Sequence, residues 1–261
     1  MSRPPPIPDP LDCVLLDAGD TLLAPAPSFQ GRFLAVAADA GVPLEEAAVD
    51  AAIAEAMRAA EWPSDWTDPA TQRGFWVGFY RQVLADLGHQ DDGMRVAEAL
   101  FAAFSDPAGY RLFDDVRPAL DALAGRGVTL GVVSNFEPWL EDILGLQGFG
   151  DRFAAVAISG KLGVAKPDPE IFLAALAEAG ADPAATVHVG DQLANDVAAA
   201  RAVGITPVLI DRYARHPETD GAHRVEDLLE LVELVRGWTA ASGGSSPTTR
   251  TPSPRASGWP S

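Results

Sequence analysis

The sequence predicts an α/β protein, a doubly wound parallel sheet with an inserted α-helical domain, and three observations carry that expectation. Short runs of Val, Leu, Ile and Ala are continuous rather than alternating, the pattern of strands buried on both faces. Helical periodicity fills the gaps between them, so successive strands are joined by crossovers and run parallel. Several runs stop at a polar residue able to do chemistry, which places a site at the carboxyl edge of the sheet.

Strands are expected near 12–17, 128–134, 153–158, 186–190 and 206–210, and helices near 115–126, 137–145, 168–180, 195–203 and 225–236. The stretch from about 24 to 112 carries no clear strand, but helical periodicity recurs at 28–40, 45–61, 70–87 and 92–104. It is too long for a plain loop. It reads as a helical cap over the catalytic edge, on linkers near Pro25–Pro27 and Pro107–Gly109. A lid there would exclude water and choose the substrate. The expected organisation is a disordered lead at 1–11, a core at 12–24 and 110–238, the cap at 25–109, and a disordered tail at 239–261. Trp259 is read as part of that solvated terminus.

The 261 residues are 48% hydrophobic and 21% charged, which fits a globular protein with one substantial core and an accessory domain. A formal net charge of −18 argues against a nucleic-acid or anionic-membrane partner. An anionic substrate must therefore be drawn by local groups such as a metal or Lys166. Cys13 is the only cysteine, so no intrachain disulfide forms and a reducing cytoplasm is expected. Its place in the first strand suggests an inert thiol. No signal peptide is expected, nor an apolar run of about 18 residues that would span a membrane. Oligomeric state is left as monomer or homodimer.

The first apolar run ends Leu15-Leu16-Asp17-Ala18-Gly19-Asp20-Thr21-Leu22. A carboxylate ending such a strand is costly to desolvate unless it is paired or bound to a metal. Asp17 is therefore either a functional acid or a cap or salt-bridge partner, and Thr21 adds a hydroxyl near the same edge. Ser134-Asn135 closes a second run, where Ser commonly caps a helix. Lys166 stands in Gly163-Val164-Ala165-Lys166-Pro167-Asp168-Pro169, whose prolines stiffen the backbone and start a helix. Gly190-Asp191-Gln192-Leu193-Ala194-Asn195-Asp196 supplies two more acids, although Asp196 could merely cap the next helix. Such oxygen donors suit Mg²⁺, which keeps waters and substrate phosphate as its remaining ligands.

Taken in order, these pieces resemble the haloacid-dehalogenase-like hydrolase superfamily over nearly all of residues 12–236. The helical insertion resembles the superfamily's first cap type, found in phosphoglycolate-phosphatase-like members. Val189-Gly190-Asp191 and Val208-Leu209-Ile210-Asp211-Arg212 are most similar to the group called hydrolase-domain-containing protein 3. The resemblance implies a phosphatase for a small organic phosphate that works through a phospho-aspartyl intermediate on Asp17. It further implies Mg²⁺ held by Asp17, the Gly19 carbonyl, Asp191 and Asp196. Ser134, Asn135, Thr21 and Lys166 would bind the phosphoryl group, with Ser134 and Lys166 assisting catalysis.

One departure matters. Most phosphatases of the superfamily carry a second aspartate two residues after the nucleophile, where this chain has Gly19, followed by Asp20. That aspartate handles the leaving-group proton, worth about 10²–10⁴-fold. On an extended strand residue 20 points away from 17, so Asp20 can substitute only if the chain curls after Ala18. Three readings follow: a phosphatase suited to good leaving groups, a weak or inactive regulatory fold, or a metal-free 2-haloacid dehalogenase. In the cap, Trp62, Trp66, Phe75, Trp76, Phe79 and Tyr80 are expected as core, and Arg73 and Arg81 as a solvated face. Glu137 and Trp139 lie near the active edge, and His188 is expected to be a packed core histidine.

Overall fold

A computed structural model of the chain describes residues 4–63 and 66–241, with side chains through residue 236. The chain enters at β1 (Cys13–Leu16) and turns into β2 (Leu23–Pro25). It then builds four helices: α1 (Phe29–Asp39), α2 (Glu46–Ala59), α3 (Pro69–Asp86) and α4 (Gly93–Phe104). It returns through β3 (Tyr110–Leu112), α5 (Val116–Ala124), β4 (Thr129–Ser134), α6 (Leu140–Leu146) and β5 (Ala155–Ile158). The short α7 (Ser159–Leu162), α8 (Pro169–Ala179) and β6 (Thr186–Gly190) follow. A π-helical turn at Leu193–Ala198 leads into α9 (Ala199–Ala202), then β7 (Thr206–Ile210), β8 (His223–Val225) and α10 (Leu228–Ala241).

Six strands form one parallel sheet in the order β5-β4-β1-β6-β7-β8. The protein is an α/β fold of the doubly wound kind. The chain leaves β1 toward β5 on one side and comes back to β6, β7 and β8 on the other. The carboxyl ends of β1, β4 and β6 therefore meet at the switch point, where such sheets hold their ligands.

Alternation along β1 explains the layers. Val14 and Leu16 point to one face, packed with Leu120 and Leu123 of α5, Ile143 of α6, and Leu228 and Leu231 of α10. Cys13 and Leu15 point to the other, against Phe172 and Ala175 of α8 and Ala200 of α9. With about 0.8 kcal/mol per buried CH₂, these two faces supply most of the driving force for the sheet.

Helices α1–α4 share a separate core that includes Phe33, Val49, Val83, Leu84, Val96 and Leu100. Local chemistry sets their starts. The Ser28 hydroxyl accepts from Gly31 N ahead of α1, and the Asp68 carboxylate accepts from Thr71 N ahead of α3, with Pro69 at the first helical position.

Several details differ from expectation. The two linkers pair with each other as the antiparallel ribbon β2–β3, with Ala26 N donating to Gly109 O at 2.8 Å. Three-residue strands are too short to show a period, and the same holds for β8 and α7. The proline-rich lead is tied down where it is described. Ile7 is 2% exposed in the sheet core, and His223 Nε2 lies 2.7 Å from the Pro5 carbonyl. Helix α10 runs on to Ala241, past the expected boundary at 238, and most of the expected tail, with Trp259, lies outside the described residues. No helix among the described residues is long and apolar enough to cross a membrane.

Candidate active site

Asp17 stands just beyond β1, its backbone N donating to Val189 O at 2.9 Å, which brings its carboxylate level with the end of β6. Oδ1 accepts from Ser134 Oγ at 3.0 Å and from Lys166 Nζ at 2.6 Å. The same ammonium reaches Asp196 Oδ1 at 2.6 Å, so one buried cation joins two buried carboxylates.

Asp196 is held on every side. Its Oδ1 also lies 2.9 Å from His188 Nε2, which carries its hydrogen toward the carboxylate, and its Oδ2 accepts from Gln192 N at 2.9 Å. The π-helical turn delivers it inward. Gly190 makes room, because a Cβ there would lie 2.1 Å from Asp196 Cγ. Asp191, by contrast, has one carboxylate oxygen buried with no hydrogen-bond partner.

Electrostatics follow from this crowding. Burial pushes the Asp17 carboxyl upward, against the pull of Lys166. Burial also opposes ionisation of Asp196, but Lys166 and His188 hold it well below the usual carboxylate range. Lys166 is disfavoured by burial yet held above its ordinary value by Asp17 and Asp196. Asp191 is pushed up to about 8, first by burial and then by the charges of Asp17, Asp196 and Asp20. Carboxylate oxygens of Asp17, Asp191 and Asp196 come within 4.8 Å of one another. One lysine cannot balance three acids so placed, and an unpartnered buried Asp191 oxygen fits a divalent cation bound by oxygen ligands.

The remaining expected residues fall into place unevenly. Asn135 spends its amide on the backbone of Lys166, accepting from Lys166 N at 2.7 Å and donating to Lys166 O at 2.8 Å. Its amide carbonyl and one N–H thus fix the lysine backbone, while the residue itself lines the cavity. Thr21 is wholly buried, its hydroxyl lacks a hydrogen-bond partner, and it is absent from the cavity lining. The cause is a sharp curl after Ala18, whose carbonyl accepts from Leu22 N at 2.8 Å and Leu23 N at 3.0 Å.

Asp20 sits in that curl with φ 53 and its carboxylate pairs with Arg215 Nη1 at 3.0 Å. Gly19 and Asp20 both line the cavity. Arg212 fixes the curl from behind. It donates to the Thr21 carbonyl and, with both terminal nitrogens, to Asp115.

A cavity of about 1020 Å³ opens from this polar floor toward α1–α4. Its upper wall is aromatic: Trp62, Trp66, Trp76, Tyr80 and Phe101, facing Glu137 and Trp139 from the loop after β4. Trp62, Trp66 and Trp76 line the cavity, with Trp76 also packed against the helical core, while Phe79 and Tyr80 belong to that core and Tyr80 reaches the cavity as well. Arg73 and Arg81 do not line it, and Arg73 pairs with Glu98. Glu137 is 6% exposed, accepts from the Trp76 indole, and is pushed up to about 7 by burial. Neither its burial nor the roles of His188, Arg212 and Arg215 carry a pattern in sequence. Only the closeness of Glu137 to Ser134 hinted at its place.

The chain is an α/β protein with an acid-lysine cluster at the switch point of its parallel sheet. The family description "haloacid dehalogenase-like hydrolase" matches residues 11–204, and the chain belongs to that family. It is 31% identical to haloacid dehalogenase-like hydrolase domain-containing protein 3 of Danio rerio over 230 residues, covering 85% of this chain and 95% of the relative. It is also 31% identical over 243 residues to the phosphoserine phosphatase of Thermus thermophilus, covering 84% of this chain and 96% of that one. The magnesium-bound HAD-hydrolase YfnB of Bacillus subtilis shares the fold, with a TM-score of 0.68 at 18% identity, over 87% of this chain and 99% of that one. The protein is therefore a hydrolase of the phosphatase-bearing kind.

Proposed function

We propose that the protein is a Mg²⁺-dependent phosphatase of small organic phosphates, with Asp17 as the nucleophile. The observation that carries the reading is the Asp17 carboxylate, fixed by Ser134 and Lys166 at the sheet edge and facing a cavity large enough for an organic phosphate. Mg²⁺ at Asp17, Asp191 and the Gly19 carbonyl, with Asp196 behind, would neutralise charge between carboxylate and phosphate.

An Asp17 oxygen forms a bond to phosphorus while the bond to the leaving oxygen breaks. Water then attacks phosphorus in the aspartyl phosphate, releasing phosphate and restoring the carboxylate. Ser134 donates to a phosphoryl oxygen. Lys166 holds Asp17 in line and offsets the charge of the entering phosphate. Helices α1–α4 act as the cap, limiting water and contacting the leaving group. With no carboxyl at position 19, the leaving oxygen takes its proton from solvent, which favours esters that leave readily.

The test is release of phosphate from p-nitrophenyl phosphate and acetyl phosphate, with and without Mg²⁺, alongside 2-chloropropionate. Metal-dependent release, reduced at least about 10³-fold in Asp17→Asn, is expected. Full activity in that variant removes Asp17 from the role. A second reading, a binding or regulatory protein without useful turnover, is favoured by the absent acid at position 19. Silence on a broad panel of phosphate esters would select it. Chloride release without metal would select a dehalogenase, against which the surplus acid Asp191 speaks.

A further inference from the structure

The geometry points to a substrate whose leaving group carries an amine cation, seated among Trp62, Trp66 and Trp76 with its charge against Glu137. This rests on the phosphatase reading and deepens it, because it concerns the part of the substrate remote from phosphorus.

Glu137 is a buried carboxyl in the wall of the cavity. No ion pair found among the described residues includes it, and the indole N–H of Trp76 is its side-chain donor. That indole and the backbone N–H of Glu137 itself are both neutral donors, and they leave the charge of a buried carboxylate uncompensated, whereas an ammonium beside it supplies the missing countercharge. Burial holds this acid at about 7, so neutral pH leaves it poised to ionise when a cation arrives.

The aromatic wall is of matching character. The ring centroids of Trp62 and Trp66 are 5.8 Å apart, those of Trp62 and Trp76 6.2 Å, and those of Trp66 and Trp76 6.4 Å. Their planes are steeply inclined to one another, at 59°, 83° and 72°. Phe75 backs the three, its ring centroid 4.8 Å from that of Trp62, 5.0 Å from Trp66 and 5.2 Å from Trp76, so the cavity-lining side of the cluster is the one turned away from Phe75. An indole face on that side attracts positive charge. Trp62 remains 54% exposed although it lines the cavity, a costly place for an indole unless something covers it.

Among the described residues, no basic side chain competes for this wall. The positively charged residues lining the cavity are Lys166 and Arg215, engaged at the floor with Asp17, Asp196 and Asp20. A neutral leaving group would use the indoles and leave Glu137 uncompensated. An anionic one would place a second negative charge beside it. The expected preference is aminoalkyl phosphate over neutral ester over carboxylated ester.

The test compares phosphocholine with 3,3-dimethylbutyl phosphate, its uncharged carbon isostere, on the full-length protein with Mg²⁺. The KM for phosphocholine is expected to be lower by about tenfold or more. Glu137→Gln, which keeps an acceptor for Trp76, is expected to remove that advantage. Equal KM values in the wild type, or an advantage that survives Glu137→Gln, overturn the proposal. Choline alone provides a readout free of phosphate chemistry. Saturable quenching of tryptophan fluorescence that is lost in Glu137→Gln supports the cation site even if no ester is hydrolysed, in which case only the phosphatase reading falls. Absence of quenching at millimolar choline overturns the cation site.

Discussion

Asp20 Oδ2 lies 3.0 Å from Nη1 of Arg215, a residue 195 positions further along the chain. The pair is solvent-exposed and contributes at most about 1 kcal/mol, so it does not by itself aim the carboxylate. The backbone does that. The curl after Ala18 puts Asp20 at φ 53, with its N–H donating to Leu23 O at 2.9 Å. The chain makes the curl that a substitute acid would need, and then turns that acid toward Arg215.

Asp20→Asn should therefore be mild. Turnover of phenyl phosphate, a poor leaving group, is expected to fall less than about tenfold. A fall of about a hundredfold or more would show that Asp20 has taken over proton transfer.

Gly190→Ala should be severe although the change is a single methyl. The new Cβ would lie 2.1 Å from Asp196 Cγ, so the carboxylate has to leave Lys166 and His188. Mg²⁺ affinity, read by calorimetry, is expected to weaken about 10–100-fold, as when other outer-sphere supports of a metal are lost. An unchanged titration would show that Asp196 plays no part in holding the cation.

Glu137 should make stability depend on pH. Its folded value, about 7, is raised above the ordinary 4.5, so the folded state holds a proton that the unfolded state has released. The contribution of Glu137 to stability is therefore fully present below about 4.5 and is lost as pH climbs through 7, by about 3 kcal/mol at most. The titratable groups on which its charge acts are Tyr80 and Tyr110, and both are pushed upward, first by burial, so they stay neutral across this window. Glu137→Gln should gain on the wild type in melting temperature as pH rises from 5 to 7.5. A constant difference would refute the assignment.

Arg212 should matter for stability more than any exposed arginine. Its guanidinium grips Asp115 at 2.9 and 2.8 Å and the Thr21 carbonyl at 2.7 Å, while Asp115 also accepts from Leu228 N. Removal in Arg212→Ala strands a largely buried carboxylate, at a cost of about 3 kcal/mol or more. Arg212→Lys should recover only part of this, since an ammonium cannot make the forked contact. Denaturant melts of the three proteins check the order.

The sheet was legible in sequence because its central strands are buried on both faces and so read as unbroken apolar runs. Asp17, Ser134, Lys166, Asp191 and Asp196 were legible because each follows such a run or a stiffened turn, and the fold brings them together. The place of Thr21 was not legible, because nearness to Asp17 in sequence does not show that the chain curls after Ala18 and buries the hydroxyl. Asn135 lies where expected but faces the Lys166 backbone. His188 is a packed histidine, as its position in a strand suggested, and it also orients Asp196, a contact visible only when β6 and the π-helical turn are folded together. Helical spacing predicts a core for the tryptophans because it does not distinguish a face buried against helices from one facing a cavity, and Trp76 meets both.

The ribbon of Leu23–Pro25 with Tyr110–Leu112 bears on how the aromatic roof can move. Two independent tethers would let the four helices swivel and slide. Two hydrogen-bonded ones behave as a leaf spring that bends far more readily than it shears. The tryptophans should consequently lift from Asp17 along one repeatable arc and settle back in register after each turnover.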